Sequence, residues 1–175
     1  PRTNPFLKGD NYTGRQVGSA VTGTLRTDFS FNPDSRWGRL YRGVYQGSGV
    51  DLRSFMVDGL LGTPASVYVY QGAPFLWLGD RLSLGYEWKF GAAMGWRHYD
   101  KELYTENTAV STSVTAHMGL GIRLRYRIAS CWLMSLGVDA SHFSTGNTSW
   151  PNGGVNTVGA SLGIAYVINS DRNPV

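Results

Sequence analysis

The stretch LSLGYEWKFGAAMGW, residues Leu82 to Trp96, carries an apolar residue at every even position. The odd positions hold Gly, Ala and Ser together with the charged residues Glu87 and Lys89. A repeat of two residues places alternate side chains on opposite faces of a β-strand. The stretch therefore predicts a long strand with one bulky apolar face and one face of small or polar residues.

The same alternation recurs along the chain and predicts an all-β, antiparallel fold. A short first strand is expected near the N-terminus, although Pro5 restricts it to a strand end. Glycine and proline interrupt the fourth strand, where a β-bulge is expected. In all we predict eight strands. The first six lie in Pro1 to Leu7, Val17 to Phe31, Leu40 to Met56, Ala65 to Trp77, Leu82 to Trp96 and Val110 to Ile128. The seventh begins at Trp132, and the eighth includes Val158 to Tyr166.

Small and charged residues share one face of these strands, whereas bulky apolar residues share the other. A soluble barrel would place its large apolar residues inside and its charges outside. In a narrow outer-membrane barrel the bulky apolar residues face lipid, and the small and charged residues face the interior. The interior is only wide enough for these side chains. We therefore predict an eight-stranded antiparallel transmembrane β-barrel of the outer membrane. Its lumen should hold a charge network of Glu87, Lys89, Arg123, Arg125 and Asp139, with His117 as a hydrogen-bonded filler.

Length and composition agree with one membrane domain over residues 1–175. Charged residues make up 16% of the chain, against about 25% in an average soluble protein. The sequence contains no apolar run of roughly 18 residues, so it predicts no transmembrane helix. The net charge of +4 comes from scattered Lys and Arg, which does not indicate nucleic-acid binding. A single cysteine, Cys131, excludes an internal disulfide and a CxxC metal site. The start at Pro1 without a signal-peptide pattern suggests a mature or trimmed form.

The connections between the predicted strands alternate in length. Short ones lie near Asn32, Gly79 and Ala129, and longer ones lie near Asp10, Leu60, Lys101 and Ser149. Outer-membrane barrels have short periplasmic turns and long external loops. The pattern therefore predicts which end of the barrel faces the cell exterior, and it places the end of the seventh strand there.

At that external end the sequence brings together three polar residues. His142 and Ser144 continue the even, outward register of the seventh strand, and Asn156 continues the even register of the eighth. Pro151 to Gly154 predict a chain reversal that would bring Asn156 beside His142. The three residues could then act as base, nucleophile and orienting group. On spacing alone a simpler interpretation stays open, in which they are rim residues where strand gives way to loop.

The segments HFSTGN, from His142, and PNGGVN, ending at Asn156, resemble the signature of the outer-membrane lipid A 3-O-deacylase (acyloxyacyl hydrolase) family. That resemblance implies an eight-stranded barrel with a His-Ser-Glu triad on its lipid-facing surface, which hydrolyses an ester-linked acyl chain of lipopolysaccharide. It makes His142 the base and Ser144 the nucleophile, and it places Asn156 where the family has Glu. Where the family usually has Asn after the serine, this sequence has Thr145. The candidates for stabilising the oxyanion are Thr145, Gly146 and Asn147.

The sequence thus favours an esterase in the outer membrane of a Gram-negative bacterium, acting on lipopolysaccharide or lipid A among outer-membrane lipid. No metal or other cofactor is expected, since the spacing of His98, Asp100 and Glu102 in the longest loop matches no metal site. No nucleic acid is expected as a partner. A homodimer and outer-membrane protein partners stay open. The alternative is a catalytically decayed or non-enzymatic barrel that serves as a structural or accessory subunit of an outer-membrane complex.

Overall fold

Strands dominate the computed structural model, which describes residues 4–57, 59–146 and 148–168. Seven of them pair in chain order, each antiparallel to the next, in one sheet that curls into a half-barrel. A 3-10 helix, Phe6–Lys8, precedes them and a short helix α1, Arg36–Leu40, follows the first. The strands are β1 Ala20–Ser30, β2 Tyr45–Phe55, β3 Gly62–Trp77, β4 Leu82–Trp96, β5 Val114–Ala129, β6 Trp132–Ser144 and β7 Val155–Tyr166.

The predicted division between an apolar outward face and a polar inward face is present in the structure. On β5, Leu120 and Ile122 point away from the sheet interior and are 63% and 47% exposed. Thr115, His117 and Arg123 on the same strand point inward and are buried. Because the outward side chains have no protein cover, their apolar surface needs another apolar medium, as the predicted lipid face requires.

Ion pairs fill the inward face, as predicted for the lumen. Glu87 accepts hydrogen bonds from Arg26 and Arg123, at N–O distances of 2.7 and 3.1 Å. Arg123 also contacts Asp139 at 2.6 Å. Lys89 pairs with Asp51 at 3.1 Å, so the network includes partners that the alternation alone did not single out.

Arg125 completes the interior in a different way from the other charges. Its guanidinium lies over the ring of Tyr45, 3.8 Å from the ring centre. The hydroxyl of Tyr45 in turn donates to Glu87. The inward face is therefore closed by cation–π contacts as well as by ion pairs.

Trp96 is an exception to the predicted outward register of Leu82 to Trp96. It is only 4% exposed, and its indole N–H donates to Thr115 inside the sheet. Gly95 has a φ of 87°, and the pairing of β3 with β4 shifts register beside it. Residues 63 and 64 of β3 lie opposite Gly95, so β3 carries the extra residue of a bulge, and the positive φ of Gly95 lets the chain turn so that Trp96 faces inward. Trp96 is thus a core residue.

Two strand boundaries also differ from the prediction. Val110, which was assigned to the outward face of a strand beginning there, lies before β5 and is 1% exposed. The strand predicted from Leu40 begins at Tyr45, because Leu40 ends α1. Ser35 caps that helix by accepting a hydrogen bond from the Gly38 N–H, which favours helix over strand at this point.

The first predicted strand is wrong over the residues that the structure describes. Asn4 accepts the N–H of Phe6 through its side chain, and the 3-10 helix follows directly. Pro5 lacks an N–H and cannot take part fully in a ladder, so the Asn4 turn prevails. Residues 1–3 of that prediction lie outside the described residues. The count of eight strands is therefore not confirmed.

The long loops pack together at the end of the sheet where β6 ends and β7 begins, which we call the site end. Phe6, Leu60, Val110 and Phe143 are buried there in one apolar cluster. The N–H groups of Gly153 and Gly154 donate to the carbonyls of Thr108 and Ala109. This packing ties the β6–β7 loop to the β4–β5 loop. The opposite end, with the connections at 31–44, 78–81 and 130–131, is called the turn end.

The two edges of the sheet run in the same direction. Six successive antiparallel pairings make every odd-numbered strand parallel to the others, so β1 and β7 both descend from the site end. Within the described residues β1 pairs only with β2, and β7 only with β6. Arg53 of β2 reaches across the interior to the Thr157 hydroxyl of β7, at 2.6 Å. No helix in the described part of the chain is long and apolar enough to cross a membrane.

The buried carboxylate of Glu87 predicts a large effect on stability. Glu87→Gln keeps the shape but leaves Arg26 and Arg123 without their shared negative charge, so the free energy of unfolding should fall by about 3 kcal/mol. Urea unfolding of the refolded protein in lipid vesicles measures this. Glu106→Gln, at an exposed loop position, is the matched control and should change little. Equal stabilities of the two variants would contradict the assigned network.

Candidate functional site

The three polar residues predicted to act together lie on two neighbouring strands at the site end. His142 and Ser144 are in the last three residues of β6, and Asn156 is the second residue of β7. The strand register pairs His142 directly with Asn156. Directly opposed residues of an antiparallel pair have side chains on the same face. Here that face is the outward one, since Ser141 and Phe143, on either side of His142 in the chain, are buried.

The side chains of His142 and Asn156 are in contact. The distance from His142 Nδ1 to Asn156 Oδ1 is 2.7 Å. An amide oxygen can only accept, so the hydrogen bond requires the proton on Nδ1. That tautomer leaves the lone pair of Nε2 free to take a proton from another group.

Ser144 is half-buried on the same outward face as His142. The structure shows no hydrogen bond between these two described side chains. The Ser144 Oγ instead accepts a long hydrogen bond of 3.4 Å from the N–H of Gly146. Gly146 has a φ of 63°, so the chain turns sharply just after the serine and points this N–H back toward it.

The predicted oxyanion candidates differ in their surroundings. The N–H of Thr145 donates to the side-chain oxygen of Asn152 at 3.3 Å, whereas that of Gly146 faces Ser144. The Thr145 hydroxyl is buried and has no hydrogen-bond partner among the described residues. Asn147 lies outside the described residues. The role of Asn152 in holding this turn was not predicted, because loop length alone does not show which amide folds back.

Phe143 fixes the backbone between His142 and Ser144 from the inside. Its side chain is 1% exposed and stacks on the ring of His117, with centroids 4.3 Å apart. Trp96 packs edge-on against the same ring, with centroids 5.2 Å apart. Phe143 was missed as a site residue, although it is a bulky odd-position residue on a strand whose other inward residues are mostly small or polar.

His117 faces the lumen as predicted, but it is not hydrogen-bonded. Neither ring nitrogen has a partner among the described residues, and the ring is held by Phe143 and, edge-on, by Tyr68. The prediction failed because the strands beside His117 bring aromatic rings, and not Ser or Gly side chains, against it.

Gly154 keeps space for the imidazole of His142. A Cβ atom at this position would lie 3.2 Å from His142 Cε1 and 3.2 Å from the carbonyl oxygen of Phe143. The residue also has a φ of 65°, which favours glycine. A side chain at this position would therefore crowd the ring that contacts Asn156.

Asp100 and the open side of the half-barrel lie apart from His142 and Ser144. Asp100 accepts the backbone N–H groups of Glu102 and Leu103, which hold its pKa below the ordinary value and give it a role in a turn. Within the described ranges, no three His, Cys, Asp or Glu residues are grouped to hold a metal. A cavity runs along the open side of the half-barrel between β1 and β7; Asn156 and Gly154 lie on its wall, whereas His142 and Ser144 do not.

Comparison with known protein families gives a match that covers most of the chain. Residues 21–165 match the family described as lipid A 3-O-deacylase (PagL). Comparisons with curated proteins and with solved structures give no significant match. The matched range runs from β1 to β7 and includes His142, Ser144 and Asn156. The chain therefore belongs to the lipid A 3-O-deacylase family, whose members are outer-membrane proteins of Gram-negative bacteria.

Proposed function

We propose that this protein is an outer-membrane esterase that hydrolyses an ester-linked acyl chain of lipid A, with Ser144 as nucleophile, His142 as base and Asn156 as orienting residue. The observation that supports it most is the 2.7 Å contact between His142 Nδ1 and Asn156 Oδ1, on the same outward face as Ser144. A base that is oriented through one nitrogen and free at the other is what a serine nucleophile requires.

In the proposed reaction, His142 Nε2 removes the proton from Ser144 Oγ as this oxygen attacks the acyl carbonyl carbon. The resulting oxyanion needs N–H donors, and the N–H of Gly146, whose nitrogen lies 3.4 Å from Ser144 Oγ, is one candidate. The imidazolium then protonates the sugar oxygen, which leaves as a hydroxyl. Water, activated by His142, hydrolyses the acyl-enzyme and releases the fatty acid. The steps need no metal or other cofactor.

The outward surface below the site suits an acyl chain. The register places Leu120, Ala140 and Val158 side by side, one step deeper than His142 and Asn156. Leu120 and Val158 are 63% and 78% exposed. An acyl chain in the outer leaflet could lie along this apolar surface while its ester reaches Ser144. The substrate would then approach from within the membrane.

Asn156 weakens the proposed site but does not remove its geometry. An amide oxygen orients the imidazole, yet it cannot neutralise the imidazolium as a carboxylate would. The N–H of Thr145 is also engaged by Asn152 and is less available to an oxyanion. These two observations favour the second candidate, a family member with a decayed site that acts as a structural or accessory barrel subunit.

We further propose that the barrel is closed by an eighth strand, antiparallel to both β1 and β7. Edges that run in the same direction cannot pair antiparallel with each other, so an all-antiparallel closure requires one ascending strand between them. Unpaired edges exposed to lipid would leave many backbone groups without partners, at several kcal/mol each.

The nucleophile is tested by Ser144→Ala, which should abolish deacylation while the barrel still folds. Mass spectrometry of lipid A from cells that express the parent should show loss of one ester-linked acyl chain, and cells with the variant should keep it. Ser130→Ala, an exposed hydroxyl at the turn end, is the matched control and should retain activity. Undiminished deacylation by Ser144→Ala would rule out this nucleophile. Intact lipid A with the parent as well would favour the accessory barrel.

The orienting role predicts that Asn156→Glu raises activity. A charged hydrogen bond realised only in the transition state gives about tenfold to a hundredfold in rate. A carboxylate also favours the imidazolium, so the acid limb of the pH–rate profile should move to higher pH. Asn156→Gln has nearly the same size without the charge and should show neither change. If the glutamate variant behaves like the glutamine variant, Asn156 does not act through His142.

Closure predicts slow exchange at both sheet edges. Backbone amides of β1 and β7 that point away from β2 and β6 should exchange as slowly as those of the central strand β4, when hydrogen exchange is followed in lipid vesicles. Fast exchange confined to these edge amides would show that no strand pairs with them.

A further inference from the structure

The connection between β1 and β2 is longer than strand pairing requires. Ser30 and Tyr45 are paired residues at the ends of the two strands, and two residues could join such ends. The chain instead uses residues 31–44, whereas the other connections at the turn end are 78–81 and 130–131. We call residues 31–44 the turn-end segment. It was predicted as a short turn, and nothing in the proposed ester hydrolysis uses it.

The segment has a defined conformation and is not a loose excursion. Asn32 accepts the N–H of Ser35 through its carbonyl, and Ser35 caps α1. Gly38 packs so closely against the backbone of Asn32 that no Cβ atom would fit. The helix ends at Leu40, and Gly43 follows with a φ of 74°. The backbone of the segment therefore follows a defined path.

Aromatic and aliphatic side chains of the segment are exposed. Trp37 is 53% exposed, Leu40 63% and Tyr41 45%. The rings of Trp37 and Tyr41 stack with centroids 6.0 Å apart. This apolar surface continues the outward face of β1, where Phe29 is 57% exposed. The continuity places the segment at the level where the apolar surface meets the membrane boundary.

Three arginines alternate with these apolar residues. Arg36, Arg39 and Arg42 are all exposed, and the segment contains one acidic residue, Asp34. None of the three arginines forms an ion pair with a carboxylate in the described part of the chain. The guanidinium of Arg39 donates to the carbonyl of Asp34, and that of Arg42 lies over the ring of Trp77. Their charges are thus held at the surface and stay largely uncompensated.

We propose that the turn-end segment is a binding site for the anionic headgroups of phospholipids in the leaflet opposite Ser144. Family membership places the barrel in the outer membrane, where short turns face the periplasm and the leaflet on that side consists of phospholipid. The apolar residues reach the acyl region while Arg36, Arg39 and Arg42 lie at the phosphates. The fixed segment then favours lipids with net negative charge over zwitterionic ones. This site is independent of the proposed ester hydrolysis.

The proposal is tested by titrating the refolded full chain in detergent micelles with phosphatidylglycerol or phosphatidylcholine of identical acyl chains. Native mass spectrometry reports the bound lipid. Each arginine near anionic lipid strengthens binding roughly fivefold, so the parent should prefer phosphatidylglycerol by at least about tenfold. The preference should fall as salt is added. The variant Arg36→Gln/Arg39→Gln/Arg42→Gln should lose it, and the corresponding triple lysine variant should keep most of it.

The matched control removes three positive charges at the site end through Lys8→Gln/Arg15→Gln/Lys101→Gln, and it should leave the preference unchanged. The proposal is overturned if the parent binds both lipids equally, if the triple glutamine variant retains the preference, or if the site-end control loses it to the same extent. Should the triple glutamine variant fail to fold, the double variant Arg36→Gln/Arg39→Gln, which keeps the contact of Arg42 with Trp77, should still lose most of the preference. None of these measurements depends on ester hydrolysis.

Discussion

The ion pairs of Glu87 with Arg26 and Arg123 are the contacts on which the interior depends. A buried carboxylate without these guanidinium partners would be strongly unfavourable, and so would the arginines without Glu87. Because charges and small residues take most of the narrow inner space, most bulky apolar residues of the strands face outward, with Trp96 and Phe143 as exceptions. Every outward position near the site end therefore lies at the boundary of an apolar surface. His142, Ser144 and Asn156 occupy such positions.

Interior packing also shapes the outward site through β6. Phe143 points inward between two residues that point outward, and the rings of His117 and Trp96 hold it. A strand that is fixed on one face cannot shift or slip on the other. The contact between His142 and Asn156 is thus set by packing on the opposite side of the sheet. A site built in this way can lie open to lipid and still be rigid.

The sequence predicted those features that follow from strand alternation. The outward faces of β4 and β5, the inward charges and the pairing of His142 with Asn156 all follow from a period of two and one chain reversal. The inward turn of Trp96 did not, because it depends on the positive φ of Gly95. Any of 23 glycines could adopt that conformation, and only tertiary contacts select which one does.

Local side-chain hydrogen bonds account for other differences. Asn4 and Ser35 each capture a backbone N–H and start a helical turn where alternation or a simple turn was expected. Such capping competes with strand formation over a few residues. The hydrophobic pattern does not show whether a helical turn or a strand will form there. The stacking of His117 on Phe143 likewise depends on which rings the register brings together.

Spin labels placed at Ile122, Leu120, Met118 and Ser144 test most directly whether the site lies on a lipid-facing surface. Each label is attached to a single cysteine in a Cys131→Ser background, in lipid vesicles. Accessibility to oxygen, which partitions into the bilayer, should be high at Ile122 and Leu120. Toward Ser144, accessibility to oxygen should fall and accessibility to a water-soluble nickel chelate should rise. A chelate that reaches Leu120 and Ile122 as readily as the exposed loop residue Glu106 would contradict the account.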